Sequence, residues 1–346
     1  MYQFWLGKIG KELESKANWI APIALGIALL GIASASILIA SQRVAGLRPV
    51  VPKGYRKHKA TGEGAIASTE IEPNAITCDR LLIAAVAFST WNTVKLLNNN
   101  DGSRASLFQS YTVRAIVLLL VAGISFAISL SLWAWSLTQT SIANSTLLNN
   151  MMPIFTTLGG WLIFRQRFSA RFLIGMVVAI IGAVAIGIED LQVADSNLIG
   201  DGAALIAAGF SAISILTIEQ LRVQFDTAIV MQWTSLAGGL FLLPLVLFTK
   251  GQLLPTSNTS WLAIIGLGLI SQAVGQGLLT YSLAKFPSSF VAVSMLAIPV
   301  IAAILALVIF SEQLSLFNWS AFAVVLSGIY LAISANNNPN QLPIEK

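Results

Sequence analysis

Cysteine and histidine are almost missing from this chain: Cys78 and His58 stand alone among 346 residues. A single cysteine excludes an intramolecular disulfide framework, and the two residues together cannot build a zinc site. Ser-His-Asp chemistry is nearly excluded on the same ground. No GxxxxGK[ST] loop occurs, and the glycines lie within apolar runs instead of between a strand and a helix, so nothing is built to hold ATP phosphates. Charge is scarce as well. Only 10% of residues are Asp, Glu, Lys or Arg, against about 25% in soluble domains. No catalytic residue, metal site or cofactor is expected, and a polytopic lipid enzyme would need interfacial acids, histidines or metal ligands that this chain has few of.

What is present is apolar. Hydrophobic residues make up 56% of the chain and the mean hydropathy is +0.78, a composition that belongs in a bilayer. The net charge of +5 does not point to nucleic acid, because Lys and Arg gather between apolar runs and are not interleaved with exposed aromatics. The expected partners are the lipid bilayer and a small-molecule substrate, with no nucleic acid; a homodimer is compatible with the sequence.

The apolar runs predict ten transmembrane helices at 19–40, 76–96, 114–136, 139–164, 171–188, 200–219, 228–248, 260–283, 287–310 and 316–334. No charged residue falls between Arg114 and Arg165, room for two crossings and a tight turn. Backbone groups left unpaired in lipid cost several kcal/mol each, so such runs are helical, and the absence of two-residue alternation argues against a barrel. Lys8, Lys11 and Lys16 ahead of an apolar stretch, with Ala33-Ser34-Ala35 resembling a cleavage site, give the first run features of a signal peptide. Its continuation through Ala40 favours a retained span. The resulting division is a cytoplasmic segment 1–18, a first five-helix half 19–188 carrying a basic loop 41–75, a second half 200–334 and a tail 335–346. A cytoplasmic amino terminus in the plasma (inner) membrane fits most of the basic residues, although the 41–75 loop then breaks the positive-inside rule; Arg80 is assigned to that loop side.

The two halves repeat at an offset of 146 residues. Pro153 maps onto Pro299, Phe164-Arg165-Gln166-Arg167-Phe168-Ser169 onto Phe310-Ser311-Glu312-Gln313-Leu314-Ser315, and Gly182 onto Gly328. Each copy has five spans, an odd number, so the copies enter the membrane from opposite sides. Gly175, Ala179, Ala183 and Gly187 form a small-residue stripe suited to close helix packing. This duplicated pattern resembles the EamA-like branch of the drug/metabolite transporter superfamily over roughly residues 76–334. Gln166 stands where that family commonly has Glu, and the 41–75 loop is longer than usual. The resemblance implies a ten-helix bundle with both ends cytoplasmic, a central cavity, and export or exchange of small metabolites.

Polar side chains inside spans mark where a solute would bind. Thr138, Ser141, Ser145, Asn149 and Thr156 fall within a sector of about 80° on the fourth helix, and Ser125, Ser129, Trp133 and Ser136 form a stripe on the third. Interhelical hydrogen bonding is the ordinary alternative for each hydroxyl; the Asn149 amide is harder to satisfy with small hydroxyls. Gln272, Gln276 and Tyr281 on the eighth helix and Met295, the repeat equivalent of Asn149, would complete the wall. Pro153 and Pro299 are expected to bend their helices. With no acid recognised at mid-span, facilitated diffusion or exchange is the expectation and proton-coupled antiport the alternative. Glu219 and Glu312 are the gating or coupling candidates, and Arg222 is spaced to pair with Glu219.

Overall fold

The computed structural model describes residues 20–34, 73–98, 111–140, 142–188, 198–248, 258–310 and 314–335. Ser141, Glu312, residues 1–18 and all but the end of the 41–75 loop lie outside them. Among the described residues there is no strand, only helices and the turns that join them. In chain order they are α1 (Ile20–Ser34), α2 (Pro73–Asn98), α3 (Val113–Gln139), α4 (Ile142–Asn149), α5 (Met152–Phe164), α6 (Ala170–Ile188), α7 (Leu198–Leu221) and α8 (Thr227–Phe248). There follow α9 (Asn258–Gly266), a π-helical stretch α10 (Leu267–Gln276), α11 (Gly277–Ser282), α12 (Ser288–Met295), α13 (Ala297–Phe310) and α14 (Leu316–Ser334). Eight helical runs are long and apolar enough to cross a bilayer, whereas the apolar helices Ile20–Ser34 and Ala170–Ile186 are shorter. Large apolar side chains such as Leu162, Phe248 and Tyr330 stand exposed on the outside, as a lipid-facing surface requires.

Two spans are kinked in the same place while staying helical through the kink, with Met151 and Leu296 both in the right-handed region. α4 gives way to α5 through a turn at Asn150 and Met151, and α12 gives way to α13 at Leu296. Pro153 and Pro299 each sit in the first turn of the second piece, where a missing N–H is tolerated. Neither proline can donate to the carbonyl four residues earlier, which frees the carbonyls of Asn149 and Met295 from their usual helical partner. The bounds of α4 and α12, and of α6 and α14, differ by 146 residues at both ends, as does the sequence repeat. The serine that ends each polar turn caps the helix after it: Ser169 Oγ accepts from Phe172 N at 3.2 Å and Ser315 Oγ from Asn318 N at 3.1 Å.

Packing follows the small residues. α3 lies against α7 and α8, α2 against α8 and α10, α5 against α7 and α12, and α6 against α14. On the α6–α14 seam a Cβ added at Gly182 would stand 2.6 Å from Val325 N, and one at Gly328 would stand 2.8 Å from Gly175 O. The backbones touch there, and only glycine fits. α1 meets α10 in the same way, since a Cβ at Gly31 would come within 3.1 Å of Gly275 Cα. Met295 wedges between the two larger apolar clusters, one centred on α7 and the other on α6 and α14. Gly328→Ala should lower the melting temperature of the detergent-solubilised protein clearly, by an overpacking cost of about 1–3 kcal/mol. Gly209→Ala, with open space around its Cβ position, should leave it unchanged or slightly raised; equal melts for the two variants would contradict the seam.

Candidate functional site

The polar stripes of α3 and α4 divide into committed and uncommitted groups. Ser129 donates to the Ala207 carbonyl at 2.8 Å and lies 2.6 Å from Ser211 Oγ, so it joins α3 to α7. Ser136 and Ser145 share a hydrogen bond of 2.5 Å that joins α3 to α4, and Thr156 bonds back to the carbonyls of Met152 and Pro153. These hydroxyls hold helices together. Trp133 Nε1, Ser131 Oγ, Thr146 Oγ1 and Asn149 Oδ1 are buried without a hydrogen-bond partner among the described residues. Buried polar atoms are nearly always satisfied, so each of these has capacity left for a solute: Thr146 and Asn149 lie one turn apart on α4, beside the carbonyl that Pro153 frees, whereas Ser131 and Trp133, two residues apart on α3, face different sides of that helix. Trp91 and Trp135 are 65% and 45% exposed and take no part in it.

The second half contributes differently from the sequence expectation. Gln276 and Tyr281 are half-buried, while Gln272 is buried, its Oε1 accepting from Arg80 Nη2 at 3.0 Å. Arg80 was expected near the loop-side end of the span 76–96; α2 starts at Pro73 and sets it seven residues in, next to Asp79, whose Oδ2 is also buried without a partner. The predicted span 76–96 contained both residues; what the sequence did not show is that α2 begins three residues earlier, at Pro73, and carries them deeper. The π-helical turn that carries Gln272 left no signal either, because it departs from the helical period itself; stretches of this kind gather at functional sites.

At the opposite end of α4–α5 the two halves are tied by one carboxylate. Glu219 on α7 accepts from Ser288 N, at the start of α12, at 3.0 Å and from Gln166 Nε2 at 3.4 Å. Gln166 in turn accepts from Ser289 Oγ at 3.5 Å. A glutamate at 166 would set a second carboxylate against Glu219, whereas the amide both donates and accepts, which gives a physical reason for Gln in this copy of the turn. The expected Glu219–Arg222 pair does not form. Arg222 Nε donates to the Thr280 carbonyl at 3.2 Å and Nη1 to that of Phe225, so the guanidinium fastens the α7–α8 turn to α11. The ion pair seen among the described residues is Lys95–Asp226 at 3.1 Å, on the surface, where such pairs contribute about 0–1 kcal/mol.

Sequence comparison matches the chain to the EamA-like transporter family over residues 63–188 and 198–334. It is similar to the uncharacterized transporter YetK of Bacillus subtilis, 23% identical over 68% of this chain and 73% of that protein. An uncharacterized transporter of Methanothermobacter thermautotrophicus is 26% identical over 62% of this chain and 64% of its own length, and one of Helicobacter pylori is 25% identical over 46% and 53%. The match thus spans less than two thirds of the last two. A solved crystal structure superposes with a TM-score of 0.70 at 16% identity, covering 92% of this chain and 99% of the other; that likeness concerns the fold alone.

If the division of polar groups is right, Ser129→Ala should lower stability by about 1 kcal/mol, the net worth of a buried hydrogen bond. Asn149→Leu, which removes a buried amide oxygen without a partner, should leave the melting temperature unchanged or raise it. A loss of stability in Asn149→Leu larger than in Ser129→Ala would make Asn149 a structural residue.

Proposed function

This chain belongs to the EamA-like transporter family and is by that membership a multi-pass membrane transporter; from this premise we propose that it is a secondary carrier, an exporter or exchanger of small polar or amphipathic metabolites working by alternating access. The observation that carries the reading is the pair of spans kinked at matched positions, α4–α5 at Asn150–Met151 and α12–α13 at Leu296. Matched proline kinks in the two halves leave carbonyls without their helical partners inside the bundle, and freed backbone groups at membrane depth need protein or a water-filled cavity around them, which favours a site there. Counting α1 and α6 as crossings gives ten spans in two inverted five-helix halves, with both termini cytoplasmic in the plasma (inner) membrane. Solute is held near Asn149, Trp133, Gln276, Tyr281 and Met295, and the two halves rock about it. The Glu219 contacts with Ser288 and Gln166 then serve as the closure at one end, since they join α7 and α12 to the turn after α5.

Counterflow in proteoliposomes loaded with pooled metabolites, with labelled external pools read by mass spectrometry, tests the reading. Exchange of a few related solutes is expected, and Asn149→Leu should reduce it by at least tenfold at normal membrane abundance. Full flux in that variant would remove Asn149 from the path. Deleting much of 41–75 should leave flux intact. Coupling to protons is the second reading, favoured by one observation: Glu219 is a half-buried carboxylate at the junction of the halves. Exchange without coupling predicts flux indifferent to a pH gradient and to Glu219→Gln; uphill uptake driven by a proton gradient and lost in Glu219→Gln would decide for antiport.

A further inference from the structure

Arg80 is a cation inside a membrane span with no carboxylate within ion-pairing distance among the described residues. Its position raises the question of whether it simply reaches out to the head groups, as basic residues near span ends do. The geometry says otherwise. Arg80 lies seven residues into α2, about 10 Å from its start. Its guanidinium contacts Gln272, which is fourteen residues beyond the first residue of α9 and so about 20 Å in by helical rise. The side chain therefore points toward the middle of the bundle and not toward the near surface.

The chemistry of the pair is one-sided. Gln272 spends its Oε1 on Arg80 Nη2 at 3.0 Å, so what remains of its amide is the NH2 group. Arg80 has five N–H donors and no acceptor, and its Nε is buried without a partner. The Asp79 carboxylate, one residue back on α2, has its Oδ2 buried and makes no ion pair with Arg80, so the guanidinium and the Gln272 NH2 group present mainly donors and the positive charge of Arg80, on a π-helical turn braced from behind by the Gly31–Gly275 contact. A buried charge of this kind is costly unless something compensates it. The complementary group is a compact oxyanion, a carboxylate or phosphate, which a guanidinium can take with two parallel hydrogen bonds. The level also agrees. α2 runs antiparallel to α3, since Cys78 meets Gly239 on α8 and Lys95 meets Asp226 just before it, while Tyr111, just before α3, and Gly123 meet Trp233 and Gly238 in the same order on α8. Arg80, Trp133 and Asn149 then stand seven, six and seven residues from helix ends on one side of the bundle.

We propose that Arg80 and Gln272 form an oxyanion site, and that the transported solute is an organic anion whose carboxylate or phosphate docks there. This rests on the carrier reading above, so its test has a binding arm separate from flux. The full chain, purified in uncharged detergent, is melted with acetate, succinate, inorganic phosphate and glycerol phosphate, and with acetamide and succinamide as uncharged counterparts. At least one anion should raise the melting temperature while its neutral counterpart does not, and the rise should vanish in Arg80→Gln and in Gln272→Glu. The second variant keeps the arginine but supplies a carboxylate from within, so it remains informative if the first folds poorly. In the flux arm, vesicles of phosphatidylcholine alone should exchange anions over neutral solutes, with at least a tenfold loss in Gln272→Glu. Stabilisation by anionic lipid but by no soluble anion would make the site a head-group contact and overturn the substrate assignment. Anion effects unchanged in both variants, or exchange confined to neutral solutes, would overturn it as well. Arg80-dependent anion stabilisation without any exchange would keep the site and remove the carrier reading.

Discussion

Hydrocarbon offers no hydrogen bonds, and the rest of this structure depends on that constraint. Every backbone group at membrane depth must be satisfied by the chain itself, which makes helix the only economical conformation for runs as apolar as these. Each departure from regular helix therefore has to be sheltered by neighbouring protein. The α12–α13 kink is sheltered, with Val293 and Leu296 almost fully buried, and at the α4–α5 kink Met152 and Pro153 are buried too. The wide turn that carries Gln272 is enclosed by α1 on one side and α2 on the other. The irregular backbone is concentrated where polar chemistry is also found.

Within that frame the side chains divide their labour by size and by valence. Glycine and alanine bring α6 and α14 into backbone contact, and the hydroxyls of Ser129, Ser136 and Ser145 are consumed in joining helices. Left without a partner among the described residues are the Asn149 amide oxygen, the Trp133 indole N–H, the Ser131 and Thr146 hydroxyls and the Nε of Arg80. At the other end Glu219 finds a backbone N–H and an amide donor, and an acid at 166 would have broken that arrangement. The asymmetry between Gln166 and Glu312 thus has a local electrostatic cause in the first copy of the turn.

Much of this was legible in the sequence, for reasons that also explain what was not. Spans such as 113–139 and 198–221 are visible because hydrophobic length is an additive property of neighbouring residues. The polar turns are visible because a capping serine and a following apolar run recur at a fixed distance. Partnership is not additive. Nothing along the chain says that Ser129 meets Ala207 or that Arg222 turns from Glu219 to the Thr280 carbonyl, since those choices depend on which helices lie side by side. Arg80 fell inside the predicted span 76–96 but was placed at its loop-side end because its charge, taken alone, marks a boundary; the contact with Gln272 turns it toward the middle of the bundle. The π-helical turn was invisible because periodicity arguments presuppose the α-helical period that it breaks.

The central claim is that solute binds at a level of the bundle that faces each side in turn, and accessibility measures it directly. In a Cys78→Ser background, Asn149→Cys would carry the single thiol of the chain. It can be challenged with a membrane-impermeant maleimide from outside in right-side-out vesicles and in inside-out vesicles. The account predicts labelling from both sides, slowed from both by transported solute. Labelling from one side only, under every solute condition, would contradict alternating access.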